Sequence, residues 1–370
     1  MASRPSPRRC LVAVGGVGLL VGGIIVAGTV ASEPSPCCSG APYVGLYDRP
    51  LNRLDAVLAR GDGQAFAAIA QDPLLQRPSV IANRGDFAYR AQRPVWGYAA
   101  WLVSLGQPDA VAWALALLTI VSCAAACVAG ALLLRVRHVN AWWSLLIPLV
   151  ALETLREFTP ELLAFALLAG GLWCWQRDRH GAAMVVFCVA ALTRETMLVG
   201  VAALALFTLC QTGSSRRSQV RSVLPLAAPF AVYAGWIVLV AARVGASPLG
   251  PSQGRLGLPG VGLVQSIERS PAAIEILGWF LLAVVLCAAG LLMRRDDVLT
   301  WVAAAFLGFA LLLGPSVWLT NAGYARTLLP LFILGAIPVL GALHLRVGLP
   351  RARLGARLAL NPGDAGRSAS

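Results

Sequence analysis

Residues 110–134 read AVAWALALLTIVSCAAACVAGALLL, an apolar run that contains no charged residue. A helix rises about 1.5 Å per residue, so roughly 20 apolar residues cross the ~30 Å hydrocarbon core of a bilayer. This run is therefore long enough to form a transmembrane helix. Comparable apolar runs occupy residues 11–31, 223–242, 274–293, 299–319 and 327–345.

The composition points the same way. Of the 370 residues, 58% are hydrophobic and 13% are charged, whereas a soluble domain carries about a quarter charged residues. The net charge of +13 comes from arginines spread along the chain; no separate basic domain appears, which argues against a nucleic-acid partner. We therefore predict an all-α fold, a polytopic membrane bundle of about ten transmembrane helices in the cell membrane.

The first apolar run follows Arg4, Arg8 and Arg9, a pattern that a secretory signal peptide shares. It lacks a convincing small-x-small cleavage site, so we interpret it as a retained anchor.

Arginine-rich short loops fix the orientation, because such loops collect on the cytoplasmic side of a membrane. They predict that both termini are cytoplasmic and that the intervening helical hairpins point outward. The loops are residues 135–138, 177–180, 214–221 and 294–295, and the hairpins are residues 141–176, 181–211, 223–293 and 299–345. The segment Val95–Gly106 would break this parity if it crossed, so we expect it to be re-entrant or interfacial.

Residues 1–345 are predicted to form one transmembrane domain, and residues 346–370 a disordered cytoplasmic tail. Within the domain, residues 32–94 form a large first outer loop that contains short interfacial helices. A loop of this size between helices is usually functional. Candidate site residues should therefore lie in this loop and in the outward hairpin tips.

Asp62 is the leading candidate in the outer loop, where it precedes an amphipathic segment. Asp is also a frequent N-cap residue, so a purely structural role is the alternative. Asp72 precedes Pro73 and is typical of a turn.

Glu157, Arg194, Glu195 and Arg326 occupy three of the outward tips. One alternative is structural pairing. Glu153, Arg156 and Glu157 would then pair along one helix face, and Arg194 would pair with Glu195. Arg326 is predicted to lie at the start of a helix, where a cation opposes the helix dipole and a nearby anion would stabilise it. That anion is either a carboxylate, from Asp62 or Glu157, or a lipid phosphate.

These segments together resemble the GT-C superfamily of integral membrane glycosyltransferases, in particular the bacterial polyprenyl-phosphate-sugar-dependent mannosyl- and arabinosyltransferases. The resemblance covers roughly residues 10–345. Its carriers are Asp62-Gly63-Gln64, Asp72-Pro73, Tyr89-Arg90, Gln92-Arg93-Pro94, the tip 191–196, and Tyr324-Ala-Arg326. Many relatives carry a soluble domain after the last helix, whereas this chain has only residues 346–370 there.

The resemblance implies sugar transfer from a polyprenyl-phosphate donor to a glycan, lipid or protein acceptor at the outer face. It implies a catalytic role for Asp62 as the base. Substrate-binding roles follow for Gln64, Asp72, Tyr89, Arg90, Arg93, Glu157, Arg194, Glu195, Tyr324 and Arg326. The three histidines of the chain, His138, His180 and His344, fall on the predicted cytoplasmic side. We expect neither a metal nor another cofactor. The alternatives are a transporter, a flippase or a lipid-binding protein without transferase activity.

Overall fold

The computed structural model describes residues 6–33, 52–60, 62–77, 84–211, 216–249, 256–319 and 321–359. Within these ranges the chain forms helices and no β-strand; the nearest approach to a sheet is an isolated antiparallel bridge between Leu256 and Leu313. The predicted all-α class is confirmed.

Short helices follow the first long helix in the segment predicted to be the outer loop. Pro94 then opens a helix at its first turn, where its missing N–H costs nothing. This region comprises α1 (Pro7–Ser32), α2 (Arg53–Arg60), α3 (Gly63–Gln71), α4 (Arg84–Ala91), α5 (Pro94–Val103), a 3-10 turn (Pro108–Ala110) and α6 (Val111–Val136). With ten residues, α5 reaches about 15 Å, half the hydrocarbon thickness.

The central part of the chain contains two helical hairpins and the start of a third. Its elements are a 3-10 turn (Ala141–Leu146), α7 (Ile147–Val150), α8 (Leu152–Glu157), α9 (Glu161–Trp175), α10 (His180–Thr193), α11 (Met197–Cys210), α12 (Arg216–Val223), a 3-10 turn (Leu224–Ala227) and α13 (Ala228–Val244). The hairpin boundaries agree closely with those predicted from the arginine-rich loops.

The remaining helices are α14 (Val261–Arg269), α15 (Ala273–Arg294), α16 (Val298–Leu311), α17 (Pro315–Trp318), α18 (Asn321–Thr327) and α19 (Leu329–Ala359). The run 299–319 is not one helix, because α16 ends before Gly314 and Pro315 starts a new turn. The segment predicted to be a disordered tail is helical up to Ala359; residues 360–370 lie outside the described residues.

Four helical segments of the described chain are long and apolar enough to cross a membrane, fewer than the ten predicted. They are Pro7–Ser32, Pro108–Val136, Gln219–Val244 and Ala273–Arg294. Six further apolar helices have only 10 to 17 residues, because their apolar runs are interrupted by charged tips such as Arg194-Glu195 or by proline. This pattern of long and short apolar helices is consistent with a membrane protein.

Large apolar side chains face outward from these helices. Val238 on α13 is 69% exposed and Leu292 on α15 is 87% exposed. Water-soluble proteins rarely present such faces over whole helices, whereas lipid tails accept them. On the inner side, α1 packs along α6 through Gly18 and Gly22, where an added Cβ would lie 3.0 and 3.1 Å from atoms of α6. Small residues permit such close packing of membrane helices.

The outer-loop helices form a second hydrophobic core at one end of the bundle. Phe66 and Ile69 of α3 are buried against Trp96 of α5 and Phe87 of α4. Gly97 brings α5 close to α3, since an added Cβ would lie 2.4 Å from the Ile69 side chain. This packing fixes the position of α3, and with it Asp62.

Candidate functional site

Asp62 occupies the N-cap position of α3 but makes no side-chain capping bond. Its Oδ1 instead accepts hydrogen bonds from Nε and Nη2 of Arg90, at 3.0 and 2.7 Å. Its Oδ2 lies 3.4 Å from Nη1 of Arg326. The structural alternative of a simple N-cap is therefore wrong, and the carboxylate is directed into a cluster of arginines.

Arg326 links two carboxylates that come from distant parts of the chain. Its Nη1 donates to Oε2 of Glu157 at 2.5 Å in addition to its contact with Asp62. Glu157 ends α8, and the next residue, Phe158, has a left-handed φ of 53° that reverses the chain. Of the two partner types considered for Arg326, the structure contains the carboxylates.

These charges control the ionisation of Asp62. Burial opposes the charged form, but the combined fields of Arg326, Arg90 and Arg93 outweigh it and hold the pKa of Asp62 well below its usual range. The side chain is 20% exposed, so the charged carboxylate is partly accessible between its arginine partners.

A second ion pair lies beside the first. Nε and Nη2 of Arg93 donate to the two carboxylate oxygens of Glu195, at 2.7 and 2.6 Å. Nη2 also donates to the Tyr89 hydroxyl, and the guanidinium lies 4.7 Å from the centre of the Tyr89 ring. Burial raises the pKa of Glu195, but Arg93 more than compensates and lowers it to about 2.

Arg194 does not pair with Glu195, contrary to one alternative. It forms a buried ion pair with Glu161 and donates to Oγ1 of Thr327 at 3.3 Å. Arg194 follows the end of α10 in an extended conformation, in which successive side chains point to opposite sides. Burial, followed by repulsion from Arg93, lowers the pKa of Arg194 to about 10.

This third pair leaves hydrogen-bonding capacity unused. Within the described part of the chain, Nε of Arg194, Oε2 of Glu161 and Oγ1 of Thr196 are buried and have no hydrogen-bond partner. Buried polar groups are normally satisfied. A polar ligand or an ordered water molecule would satisfy these three atoms.

A cavity of about 260 Å³ opens beside these groups. Its polar side includes Arg194, Glu195 and Thr196, and its apolar side is formed by Val199, Leu249, Leu256, Phe309, Leu313 and Val317. Tyr89 and Thr327 also line it, and these residues directly adjoin Arg90 and Arg326, the partners of Asp62. Of the ion-paired residues, Arg194 and Glu195 line this amphipathic cavity, and Arg90 and Arg326 are next in the chain to residues that do.

Most of the predicted residues converge here. Asp62, Tyr89, Arg90, Arg93, Glu157, Arg194, Glu195 and Arg326 belong to the cluster. Gln64 instead donates to the Ala59 carbonyl at 3.2 Å. Asp72, at the far end of α3, accepts from the Arg77 backbone N–H at 2.6 Å, as expected of a turn residue.

Tyr324 points away from this cavity, and its hydroxyl donates to Glu275 at 2.9 Å. Sequence reasoning did not select Glu161, an acid in the first turn of α9, or Tyr233, whose hydroxyl donates to Gln92 at 2.7 Å. An acid in the first turn of a helix is so common that its pattern carries no functional signal.

The described residues contain no group of three or more His, Cys, Asp or Glu arranged to hold a metal ion. The chain matches no protein-family model, no curated protein and no solved structure. Similarity therefore adds nothing here, and the geometry of the cluster carries the functional argument.

Proposed function

We propose that this protein is an integral membrane glycosyltransferase that moves a sugar from a polyprenyl-phosphate carrier to an acceptor at the outer face of the cytoplasmic membrane. The observation that carries the proposal is an ionised, partly exposed Asp62 paired with Arg90 and Arg326, whose chain neighbours Tyr89 and Thr327 line an amphipathic cavity together with Arg194. A carboxylate, cations and an apolar wall are the three features that transfer from a lipid phosphate requires.

In this proposal the six shorter apolar helices complete a bundle of about ten crossings. Both termini are cytoplasmic, and the ion-pair cluster lies on the outer side. The distribution of arginine supports this orientation, because the loops at the opposite end are the arginine-rich ones. Short crossings leave the cluster below the lipid surface, where a membrane-bound donor can reach it.

The donor occupies the 260 Å³ cavity. Its phosphate accepts from Nε of Arg194 and from the Thr196 hydroxyl, both buried without a partner among the described residues. Its first isoprene units lie against Phe309, Leu313 and Val317. Arginine suits this role, since its charge persists when buried and its donors are fixed in direction.

Asp62 acts as the general base. As the acceptor oxygen bonds to the anomeric carbon of the sugar, the carboxylate takes the hydroxyl proton, and the bond from that carbon to the phosphate oxygen breaks. The leaving polyprenyl phosphate keeps the electron pair and is stabilised by the arginines.

A carboxylate whose pKa is held low is a weak base, so its surroundings must change during the cycle. Arg326 supplies this change, because it contacts Asp62 at 3.4 Å and Glu157 at 2.5 Å. A donor phosphate competes with Asp62 for Arg326 and so draws the positive charge of Arg326 away from the Asp62 carboxylate. The pKa of Asp62 then rises while the substrate is bound.

The test is transfer of labelled sugar from polyprenyl-phosphate donors by purified protein carrying Asp62→Asn. Asn keeps the size of the side chain but cannot accept the proton, so we expect the rate to fall by about 10²- to 10⁴-fold. The matched control is Asp178→Asn, a 95% exposed carboxylate at the opposite end of the bundle, which should retain the parent rate.

Two results would contradict the proposal. Full activity of Asp62→Asn would remove Asp62 from the mechanism. Parent protein that binds polyprenyl phosphate but never consumes a sugar-charged carrier would point to a lipid-binding protein without transferase activity.

A further inference from the structure

A second cavity, of about 160 Å³, lies on the other side of α18. Glu153, Glu275 and Tyr324 line its polar part, and Trp279 and Phe332 line its apolar part. Tyr324 is buried, and its hydroxyl donates to Glu275. Residues 324 and 325 line this cavity, and Thr327 lines the first, so one short helix separates the two.

The two cavities differ in their charged lining residues. Arg194, with an unused donor, and Glu195 line the first cavity. The second is lined by two carboxylates and no basic side chain, although Glu153 also accepts from Arg156 outside the cavity wall at 3.0 Å. Ionised carboxylates only accept hydrogen bonds, so they bind hydroxyl groups and repel phosphate. The second cavity therefore does not suit the phosphate end of the donor.

A third cavity, of about 140 Å³, adjoins the second, and both share Val150 and Phe332 in their walls. Its lining is almost wholly apolar, from Gly130 and Leu134 of α6 to Ile337 and Leu340 of α19. From Phe332 to Leu340, α19 rises roughly 12 Å. The pair of cavities thus runs from a polar mouth into the apolar interior of the bundle.

We propose that these two adjoining cavities bind the acceptor, and that the acceptor is a lipid with a neutral, hydroxylated head group. The head lies between the Glu153 and Glu275 carboxylates with the Trp279 ring against its C–H surface, and the hydrocarbon chain lies along α19. The charges select against an anionic head, and the apolar extension selects for a chain. This inference rests on the proposed transferase function and names its acceptor class.

The location agrees with transfer between the two cavities. Glu153 lies one helical turn before Glu157 on α8, a rise of roughly 6 Å. Glu157 contacts Arg326, which contacts Asp62. An acceptor head beside Glu153 is therefore next to the cluster that holds the proposed base.

The experiment uses the full chain in nanodiscs of zwitterionic lipid with a photoactivatable dodecyl glucoside as probe. We expect the probe to label residues 143–153 and 324–340. Unlabelled dodecyl glucoside should suppress the labelling, and dodecyl phosphate should compete at least tenfold less well. Equal competition by the two compounds in the parent protein, or labelling confined to other segments, would overturn the proposal without recourse to any variant.

Two variants sharpen the test. Ala336→Trp fills the apolar cavity and should reduce labelling about tenfold, whereas Ala234→Trp, on the exposed side of α13, should not. Glu153→Gln with Glu275→Gln should weaken binding of the glucoside roughly tenfold, as expected for loss of charged acceptors, and should let dodecyl phosphate compete. Labelling unchanged in both would contradict the proposed occupant.

This assay separates the two proposals, because it detects binding and not transfer. Asp178→Asn, which lies outside both cavities, should leave labelling within about twofold of the parent protein. Labelling without transfer in the parent protein would refute the transferase and leave the lipid site standing. Transfer by the parent protein without labelling would refute the lipid site and leave the transferase standing.

Discussion

The two ends of the helical bundle use arginine in different ways. At the predicted cytoplasmic end, Arg137 follows α6 and binds both oxygens of Asp297 at 2.6 and 2.5 Å. Arg137 also donates to the Leu133 carbonyl, and Asp297 accepts the Leu299 backbone N–H. Each residue thereby completes a helix end, and the pair joins α6 to α16.

At the other end, four carboxylates meet four arginines that come from three segments of the chain. The carboxylates are Asp62, Glu157, Glu161 and Glu195, and the arginines are Arg90, Arg93, Arg194 and Arg326. Here Arg194 and Glu161 keep buried atoms without partners, and a cavity adjoins them. The same residue types therefore form a closed structural pair at one end and an open cluster at the other. Unused hydrogen-bonding capacity, more than charge itself, distinguishes a candidate site from a structural ion pair.

The largest expected effect is on transfer. Arg326→Ala removes a cation that contacts Asp62 and Glu157, and we expect the rate to fall by about 10³-fold, as for loss of one donor to a developing anion. The measurement is single-turnover sugar transfer. Arg137→Ala, its counterpart at the closed end, should keep the parent rate per folded molecule; an equal loss in both variants would erase the distinction between the two ends.

The next effect concerns stability. Arg137→Ala leaves Asp297 with an unpaired charge in a mostly buried position, and we expect the free energy of unfolding to fall by about 3 kcal/mol. Thermal unfolding in detergent measures this change. Arg135→Ala is the matched control, because its partner is a backbone carbonyl of Pro7 at an exposed site. Equal destabilisation by both would refute a specific role for the Arg137–Asp297 pair.

A smaller effect should appear in anion binding. Arg194→Lys keeps the charge beside Glu161 but removes the unused Nε donor, so the affinity for dodecyl phosphate should fall about tenfold. Titration calorimetry on folded protein gives this value. Arg177→Lys at the exposed opposite end serves as control. An unchanged affinity in Arg194→Lys would exclude Arg194 from the phosphate site.

The smallest effect is a pH dependence of stability. The pKa of Glu195 is lowered from 4.5 to about 2, so its pair with Arg93 stabilises the fold fully above pH 4.5, and this contribution is lost as the pH falls toward 2. The parent protein should exceed Glu195→Gln in stability by about 1 kcal/mol at neutral pH, and this difference should shrink on acidification. A constant difference would show that Glu195 does not titrate in this window.

Much of this arrangement was predictable from local sequence patterns. Charged loops predicted the hairpin boundaries, and Arg326, at one of the tips predicted to face outward, does contact Asp62. About ten transmembrane helices were predicted, whereas four helical segments of the described chain are long enough to cross a membrane, because apolar composition does not reveal where a helix stops. The run 299–319 shows this, since Gly314-Pro315 divides it.

Sequence reasoning named Asp62 and Glu157 as carboxylate partners of Arg326, but it did not separate the role of Glu157 from that of Glu161. Glu157 reaches Arg326, while Glu161, four positions later, reaches Arg194. The left-handed turn at Phe158 separates their directions, and it is set by burial of the Phe158 ring and by the hydrogen bond from the Trp96 indole to the Phe158 carbonyl at 3.0 Å. Such a turn depends on tertiary contacts, and Phe is not a residue that predicts it.

Asp62 and Arg326 are separated by 264 positions, so the ribosome synthesises them at clearly different times. At about 5 to 20 residues per second, the ribosome makes Arg326 roughly ten to fifty seconds after Asp62. During that interval most of the helices can enter the membrane, and Asp62 can already pair with Arg90. In the proposed transferase, a chain released before Arg326 would lack a member of the site, so transfer activity would require that α18 has been synthesised and docked.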